Sequence, residues 1–384
     1  MNGKTRMRKG PVIILVIIFA ILFTLVIKAP KKDTSKPKIK DNESININED
    51  DKDKTPTTKE KRMSIVMVGD VLIHKSVYLD ALKDDGTYDF SSMFTYIAPI
   101  LKNYDLRYCN QESTIGGKNL GISAYPGFNS PDEIGDELVK IGFNMVSLAN
   151  NHSLDRGVAA VNYSNNYWRS KNIIVEGTYS SKEERDKVEI HEKNGIKFAF
   201  LSYTTFSNNT DIPNDYIINI YSAERAKEDV LKAKEQGAEV IIVAMHWGTE
   251  YTNEETASQR EIANYLSSLG VNLIIGAHPH VVEPITYIND TLVIYSLGNF
   301  ISNQLFLGEN EGTGMMAMVD IVVDKDGKVK FENLKPELSY NDCSYPNGYH
   351  DYVVYQFSQL DDSILPNYKA IEEEYMQIVH SEGV

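Results

Sequence analysis

Cysteine and basic side chains are scarce in this 384-residue sequence. The two cysteines, Cys109 and Cys343, are too few for a disulfide-stapled scaffold or a zinc site built from thiolates. Lysine and arginine number 39 against 54 aspartates and glutamates, a formal charge of −15. Because phosphate neutralisation requires clustered basic side chains, we expect no binding to nucleic acid. A Walker-type glycine loop and a GxSxG elbow are also missing from the sequence, which leaves ATP use and serine catalysis unsupported.

Apolar side chains, in contrast, are plentiful and the charges are unevenly distributed. Hydrophobic residues make up 42% of the chain and aromatic residues 10%, which is enough for a large core and excludes wholesale disorder. Residues 1–32 contain seven basic side chains and no acidic one. Residues 33–384 therefore contain 32 basic against 54 acidic side chains, a formal charge of −22.

The N-terminal region has the pattern of a membrane anchor. Residues 11–27 carry no charge, and basic residues flank them on both sides. Their length is at the short end of the roughly 17–25 residues of a spanning helix. The rival interpretation, a cleaved signal peptide, fits less well because the apolar stretch is long and no A-x-A-like site follows it. We predict a transmembrane anchor over 11–28, a cytoplasmic tail over 1–10 and an extracellular C-terminal domain in a single-pass protein of the cell membrane.

A charged linker separates this anchor from the folded body. Residues 33–62 contain eight acidic and eight basic residues and no aromatic one. Such a segment cannot bury enough apolar surface to offset its ordering entropy, so we predict a disordered linker over 29–62. The main domain is predicted over 63–340, and a mostly helical C-terminal extension over 341–384.

Short apolar runs alternate with helical patterns through the main domain. Strands are predicted at 63–70, 105–112, 144–152, 197–205, 239–248, 272–280 and 291–300. Helix-like segments lie between them, two of which end at Gly237 and Gly270, as helix C-termini often do. A late hairpin is predicted to turn at Asp326-Gly327. This alternation predicts a layered α/β domain.

Polar side chains that could bind a ligand follow these apolar runs. Five of the eight histidines lie at or just past the ends of predicted strands, together with two carboxylates and several asparagines. Strand ends in α/β sheets face the loops that bind ligands. The residues in these positions are Asp70, His74, Glu112, Asn150, Asn151, His152, His246, His278, His280 and Asn299.

The pair His278-Pro279-His280 is the most specific of these signals. Proline favours an extended residue before it, and extended residues two apart point to the same face. Each polar residue taken alone also fits a structural role, such as a helix cap or a core imidazole, but together they predict a metal site. Carboxylates, an amide and imidazoles without thiolate suit Mn²⁺, Fe²⁺ or Zn²⁺. The donors suffice for two ions bridged by one carboxylate.

Six motifs, in this order, resemble the CapA-type poly-γ-glutamate capsule proteins of the calcineurin-like metallophosphoesterase superfamily. They are GDVLIH (69–74), NQEST (110–114), SLANNHSLDRG (147–157), AMHWGTEY (244–251), GAHPHVVEPI (276–285) and YSLGNF (295–300). The resemblance implies a metallophosphoesterase-like α/β/β/α sandwich. Two features depart from the superfamily pattern: four residues rather than two separate Asp70 from His74, and Glu112 stands where an aspartate bridges the metals.

The resemblance also implies roles for individual residues. A first metal is expected at Asp70, His74 and His280, a second at Asn151, His246 and His278, with Glu112 as the bridge. His152 is expected to act as a general acid or to contact the substrate. Glu250, Tyr251 and Asn299 are expected to line the substrate site.

Three hypotheses for the function remain open. In the first, the protein assists synthesis or export of poly-γ-glutamate, or of another extracellular polymer, together with an amide ligase and membrane subunits. In the second, it is an extracellular metal-dependent hydrolase of phosphoester or amide bonds. In the third, it is a binding module with a degenerate fold that turns nothing over.

Overall fold

The computed structural model describes residues 59–304, 312–345 and 348–381. The predicted tail over 1–10, the predicted anchor over 11–28 and most of the predicted linker over 29–62 lie outside these ranges. None of the helices inside the ranges combines the length and the apolar character needed to span a membrane.

Fourteen strands and eight α-helices occur in the described ranges. The strands are β1 (Lys61–Val71), β2 (Leu106–Gln111), β3 (Met145–Ser147), β4 (Ile174–Glu176), β5 (Ile190–Lys193), β6 (Ile196–Thr204), β7 (Val240–His246), β8 (Leu273–Ala277), β9 (Ile285–Ile288), β10 (Thr291–Ile294), β11 (Asn299–Ile301), β12 (Thr313–Val323), β13 (Val329–Ser344) and β14 (His350–Gln356). The helices are α1 (Lys75–Asp80), α2 (Ala98–Leu101), α3 (Asp132–Ile141), α4 (Gly157–Ser170), α5 (Lys182–Asp186), α6 (Ala223–Glu235), α7 (Ala257–Ser268) and α8 (Tyr368–Val379).

The strands form two mixed sheets. The first has eight strands in the order β14-β13-β12-β1-β2-β3-β4, with β11 also paired to the end of β1. Strands β1 to β4 are parallel, and β12 to β14 are antiparallel to their neighbours. The second sheet has the order β5-β6-β7-β8-β10-β9, in which the four central strands β6, β7, β8 and β10 are parallel. The expected hairpin at Asp326-Gly327 joins β12 to β13 and is confirmed.

Alternation along β1 shows how the layers pack. Ile65 and Met67 belong to an apolar cluster that also contains Phe198 and Ile242 of the second sheet. Val66, which points to the opposite face, packs in a cluster with residues of α3 and α4. A third cluster joins the second sheet to α6 and α7. The body is therefore a mixed α/β sandwich of two face-to-face sheets with helices on the outer faces, as the alternating pattern predicts.

The structure corrects two sequence-based boundaries. Strand β1 begins at Lys61 rather than Met63, because Lys61 and Arg62 already pair with Val323 and Val322 of β12. The C-terminal extension over 341–384 is not mostly helical. Strand β13 continues through residue 344, and β14 pairs with it antiparallel, so that among the described residues of this segment only 368–379 form an α-helix.

Two glycines allow main chain to approach main chain closely, Gly69 against the loop from β10 to β11 and Gly276 against the residue that follows β10 in its own sheet. A Cβ atom on Gly69 of β1 would lie 1.8 Å from the carbonyl oxygen of Gly298, and a Cβ on Gly276 of β8 would lie 1.8 Å from that of Tyr295. No side chain fits at either position. The amide of Asp70 donates to the Gly298 carbonyl over 3.0 Å, which fixes the end of β1 against the loop from β10 to β11.

Candidate metal centre

The ends of β1, β2, β7 and β8 bring carboxylates and imidazoles together in one buried cluster. One set of ligand atoms comes from Glu112, His278 and His280, and a second from Asp70, Glu112 and His246; within each set the atoms lie within 4.8 Å of one another. Glu112 belongs to both sets, which is the arrangement expected of a carboxylate that bridges two ions.

Hydrogen bonds hold Asp70 in place at the end of β1. Asn110 Nδ2 donates to Asp70 Oδ1 over 2.8 Å, and the Nδ1–H of His280 donates to Asp70 Oδ2 over 3.1 Å. The backbone amide of His278 reaches the same Oδ2 at 3.4 Å. Both oxygens of Asp70 are therefore directed by neighbours from β2 and from the loop after β8.

Glu112 is the least satisfied carboxylate of the cluster. It is fully buried, and neither of its oxygens has a hydrogen-bond partner among the described residues. Its Oε1 lies 3.7 Å from Nε2 of both His246 and His280. Burial raises its pKa well above the ordinary value, His280 opposes that rise, and Asp70 adds to it. A buried carboxylate without partners is costly, and a bound cation removes that cost, so the donor set fits a divalent metal.

Two of the histidines are kept neutral, the form that binds metal. Burial lowers the pKa of His278 to about 3 and that of His246 well below its ordinary value, and neighbouring histidines act in the same direction. His246 donates from Nε2 to Asn151 Oδ1 over 2.9 Å, while its Nδ1 lies 3.4 Å from Asn110 Nδ2. These contacts hold the ring in the ligand set formed by Asp70, Glu112 and His246.

His280 differs from the other two in charge. Burial by itself lowers its pKa, but Glu112 and the hydrogen bond to Asp70 outweigh burial and raise the pKa to about 9. In the absence of an ion, the imidazolium of His280 is thus the positive charge that faces the two carboxylates. A metal ion would take over that position and release the proton.

The backbone at His278 and His280 differs from the extended geometry expected from the sequence. Their φ angles are +100° and +62°, in the left-handed region that side chains rarely adopt. The two rings still lie 5.8 Å apart between centroids, and the His246 and His278 rings lie 4.8 Å apart. Strained backbone of this kind clusters at functional sites. The two imidazoles therefore converge as predicted, but they do so through a left-handed backbone and not through the extended backbone expected before a proline.

His74 lies in the same cavity but in neither ligand set. Its Nδ1 accepts a hydrogen bond from the Asn303 amide over 3.0 Å, and burial lowers its pKa to about 4. The four-residue spacing from Asp70 would bring the two side chains together if the intervening loop turned helically. Helix α1 begins only at Lys75, however, and His74 itself is extended. Its role as a ligand stays a prediction.

His152 forms a pair with Asp155 beside the ligand sets. Its Nδ1 lies 2.7 Å from Asp155 Oδ2, so Nδ1–H donates to the carboxylate. The same oxygen accepts from the Phe128 amide over 2.9 Å, and the Phe128 ring packs edge-on against the imidazole at 4.8 Å. Both side chains line the cavity, with Asn208 Nδ2 at 3.4 Å from His152 Nε2. The fixed ring can therefore offer Nε2 to a ligand.

The cluster opens into a cavity of about 910 Å³. Glu250 and Tyr251 line it as predicted, and the Tyr251 hydroxyl accepts from Gln304 Nε2 over 3.1 Å. Asn299 is not part of the cavity wall. It is buried behind the cluster, where its Nδ2 donates to the carbonyl of His280 and to Gln304 Oε1. Asn299 thus supports a ligand loop.

Several side chains around the cluster escaped the sequence analysis. Asn110 links Asp70 to His246. It lies on β2, two residues before Glu112, and extended residues two apart point to the same face. This spacing is the sequence signal that could have identified it. Phe206 and Asn208 reach the cavity from the loop after β6, where no charged or ligand-type pattern marks them. The Asn208 amide donates to the Asn151 carbonyl over 2.9 Å, which ties that loop to the ligand loop.

The fold and the cluster together define a two-sheet α/β protein with a site suited to divalent metal ions. The chain belongs to the bacterial capsule synthesis protein family PGA_cap, whose model matches residues 64–304. These residues include every member of the two ligand sets and the His152–Asp155 pair.

Curated relatives carry the same description. The chain is 28% identical over 343 residues to the PGA biosynthesis protein CapA of Bacillus subtilis (strain 168). The match covers 86% of this chain and 80% of that protein. It is 24% identical over 263 residues to the capsule biosynthesis protein CapA of Bacillus anthracis. That match covers 64% of this chain and 61% of that protein.

Two solved structures give weaker matches. The calcineurin-like phosphoesterase YfkN from Bacillus subtilis gives a TM-score of 0.45 at 17% identity, covering 73% of this chain and 90% of that one. The NAD nucleotidase NadN of Haemophilus influenzae gives a TM-score of 0.45 at 12% identity, covering 84% of this chain and 64% of that one.

Proposed function

We propose that the protein is a membrane-anchored, extracytoplasmic component of poly-γ-glutamate capsule synthesis or export, with a dinuclear metal centre in its sandwich domain. The observation that carries the metal centre is Glu112, a buried carboxylate without a hydrogen-bond partner among the described residues, at the point where two ligand sets meet. Family membership and the names of the curated relatives support the capsule role. The uncharged stretch over 11–27 supports the anchor, and an amide ligase with membrane subunits is the partner class that the resemblance implies.

Residues of both sheets would hold the ions. Glu112 would bridge them, with His278 and His280 on one side and Asp70 and His246 on the other. This grouping differs from the one that the resemblance implies, in which Asp70 shares an ion with His280 and His246 shares one with His278. Asn151 reaches His246 and is a candidate for an additional oxygen donor. Mn, Fe or Zn ions bound there would supply Lewis-acid activation of water and neutralise charge on a phosphoryl or acyl oxygen.

A hydrolytic reaction is the second candidate, and the His152–Asp155 pair favours it. Asp155 holds the imidazole by Nδ1, so that Nε2 faces the cavity that the ligand sets also face. A ring fixed in this way can hold a proton for a leaving group, as a general acid does. Phe128 packs against the ring and restricts its rotation. The bond cleaved would be a phosphoester or an amide.

Elemental analysis of the full-length protein tests the metal centre. Wild-type protein is expected to hold about two divalent transition-metal ions per chain, since two ligand sets share one carboxylate. Glu112→Gln, which keeps the side-chain size, should lose at least one of them. Glu176→Gln is a matched control, because Glu176 is also buried but lies outside the cluster. Metal-free wild-type protein would instead favour a binding module without turnover.

Gene replacement tests the role in capsule synthesis. Cells with Glu112→Gln in place of the wild-type gene are expected to lose most cell-bound polyglutamate, while Glu176→Gln cells keep it. The polymer is measured on washed cells, and immunoblots check that both variants reach wild-type abundance. Unchanged polymer after complete deletion of the gene would contradict the capsule role.

A further inference from the structure

A second cavity adjoins the cavity of the metal centre. It measures about 410 Å³ and shares the lining residues His74 and Tyr125 with the larger one, so the two cavities lie side by side, and together they are called the groove. The remaining wall of the second cavity comes from the start of α1, the loop before Tyr125 and the segment before β14. Its lining residues are His74, Lys75, Ser76, Leu79, Ala124, Tyr125, Asn303, Gly348 and Tyr349.

Large apolar and aromatic side chains are exposed along this groove. Tyr125 is 72% exposed although its ring lies 6.4 Å from that of Phe128, and Leu79 is 47% exposed. On the far side, Tyr345 is 69% exposed and lies 5.2 Å from the Tyr349 ring. Exposed aromatic faces grouped at the mouth of a polar cavity mark a ligand-binding surface.

The charges differ between the two parts of the groove. The lining of the larger cavity, as far as the structure describes it, includes the carboxylates of Asp155 and Glu250 and no Lys or Arg. The lining of the second cavity includes Lys75 and no carboxylate. Lys75 is exposed and makes no ion pair with any described residue. It is therefore an available cation in a body that is otherwise strongly acidic.

We infer that the second cavity is a subsite for a linear polycarboxylate chain whose adjacent unit lies at the metal centre. The inference rests on the proposed function, because it assumes that the larger cavity receives a capsule polymer. Methylene groups of the chain would pack on Tyr125 and Tyr349, and a free carboxylate would pair with Lys75. The shared residues His74 and Tyr125 place the two cavities next to each other, so that one chain could pass over both, and the position of Lys75 selects negative charge outside the metal centre.

Oligomer length gives the direct test. Full-length protein in detergent micelles is titrated with γ-linked glutamate oligomers of two and of eight units, and with an octamer whose free carboxylates are amidated. We expect the octamer to bind more tightly than the dimer and more tightly than its amidated form. Lys75→Gln should weaken octamer binding about three- to fivefold, in keeping with an exposed ion pair, and leave the dimer unaffected.

Matched variants separate this subsite from general effects. Tyr349→Ala should also weaken the octamer selectively, whereas Lys227→Gln on α6 and Tyr287→Ala on β9, which lie on other faces, should not. Equal binding of dimer and octamer, or an equal loss of both in Lys75→Gln, would overturn the subsite while the polyglutamate function stands. If neither oligomer binds to metal-loaded protein, the subsite and the proposed polymer ligand are both wrong.

Discussion

At the scale of single residues, the cluster balances two buried carboxylates with one protonated histidine. Asp70 and Glu112 raise the pKa of His280 to about 9, and burial raises the pKa of Glu112 well above its ordinary value. His246 and His278 are uncharged near neutral pH because burial lowers their pKa values. Protons on His280 and Glu112 therefore compete with a metal ion.

This competition predicts pH-dependent metal affinity. Below about pH 9 an ion must displace at least the His280 proton, so the apparent affinity should fall about tenfold for each pH unit below that value. Chelator competition at pH 7, 8 and 9 measures the affinity, and calorimetry in buffers of different ionisation enthalpy counts the released protons. Affinity that is independent of pH over this range would contradict the protonation of His280.

The His152–Asp155 pair predicts a loss of turnover without a loss of metal. If the protein hydrolyses its ligand, His152→Asn should lower kcat about 10²- to 10⁴-fold, because the proton for the leaving group has no fixed donor. Asp155→Asn should also lower kcat, because the His152 ring loses the carboxylate that orients it. Metal content by elemental analysis should stay at the wild-type value in both variants. A variant that loses metal as well would place these residues in the metal site.

Most of the cluster could be predicted from single residues, and the exceptions have physical reasons. Strand ends in a parallel sheet meet at one edge, which places Asp70 near Glu112 in the first sheet and His246 near the His278 loop in the second. Asn208 could not be predicted, because it reaches the cavity through loop geometry that no sequence pattern encodes. The left-handed backbone at His278 was likewise unpredictable, since a proline at the next position favours the extended form.

At the scale of elements, α7 is linked to the loop that follows the paired histidines. Thr256 and Gln259 form a capping box at the start of the helix. The side chain of Gln259 also donates to Glu283 over 2.6 Å, and the other oxygen of Glu283 is buried without a partner. Burial raises the pKa of Glu283 to about 8.

This buried glutamate predicts a change in the pH dependence of stability. Between its unfolded pKa of about 4.3 and its folded pKa of about 8, the folded state keeps a proton that the unfolded chain releases, so stability falls as pH rises. Glu283→Gln removes this loss, and its stability relative to wild type should increase from pH 5 to pH 8. Urea unfolding, followed by the fluorescence of buried Trp168 and Trp247, measures it. The exposed Glu373→Gln is the control, and parallel profiles would contradict the prediction.

Strand β14 is the element that sequence patterns predicted least well. The segment has no strict alternation of apolar residues, and it becomes a strand because the edge of β13 is available for pairing. It also secures α1: the amides of Asp351 and Tyr352 donate to Asp80 over 2.9 and 3.0 Å, and the Tyr352 hydroxyl lies 2.7 Å from Ser76 Oγ.

Loss of this packing should destabilise the whole domain. Tyr352 is fully buried, so Tyr352→Ala is expected to lower the free energy of unfolding by about 3–5 kcal/mol, as for other large aromatic truncations. Tyr287→Ala, at a half-exposed tyrosine on the edge strand β9, should cost far less. Denaturant midpoints of both variants provide the comparison. Similar midpoints would mean that the C-terminal segment is dispensable.

At the scale of the whole molecule, the candidate metal centre draws its residues from both sheets. Asp70 and Glu112 come from the first sheet, while His246, His278 and His280 come from the second. An ion that binds only the folded arrangement stabilises it by about 2.7 kcal/mol when its free concentration is 100 times Kd.

Metal removal is therefore expected to lower the melting temperature of the entire domain. Wild-type protein dialysed against a chelator should melt several degrees lower than metal-loaded protein and recover on addition of Mn²⁺ or Zn²⁺. Glu112→Gln should show a much smaller difference between the two conditions, and Glu176→Gln should behave like wild type. A chelator effect of equal size in Glu112→Gln would place the stabilising ion elsewhere.

The close approach at Gly69 and Gly276 has a consequence for how the protein can diverge. At both positions main chain rests on main chain, and both lie beside candidate ligands: Gly69 directly precedes Asp70, and Gly276 stands two residues before His278. An alanine at either position would displace the backbone next to a ligand, although it adds only one methyl group. These two positions are therefore closed even to the smallest side chain.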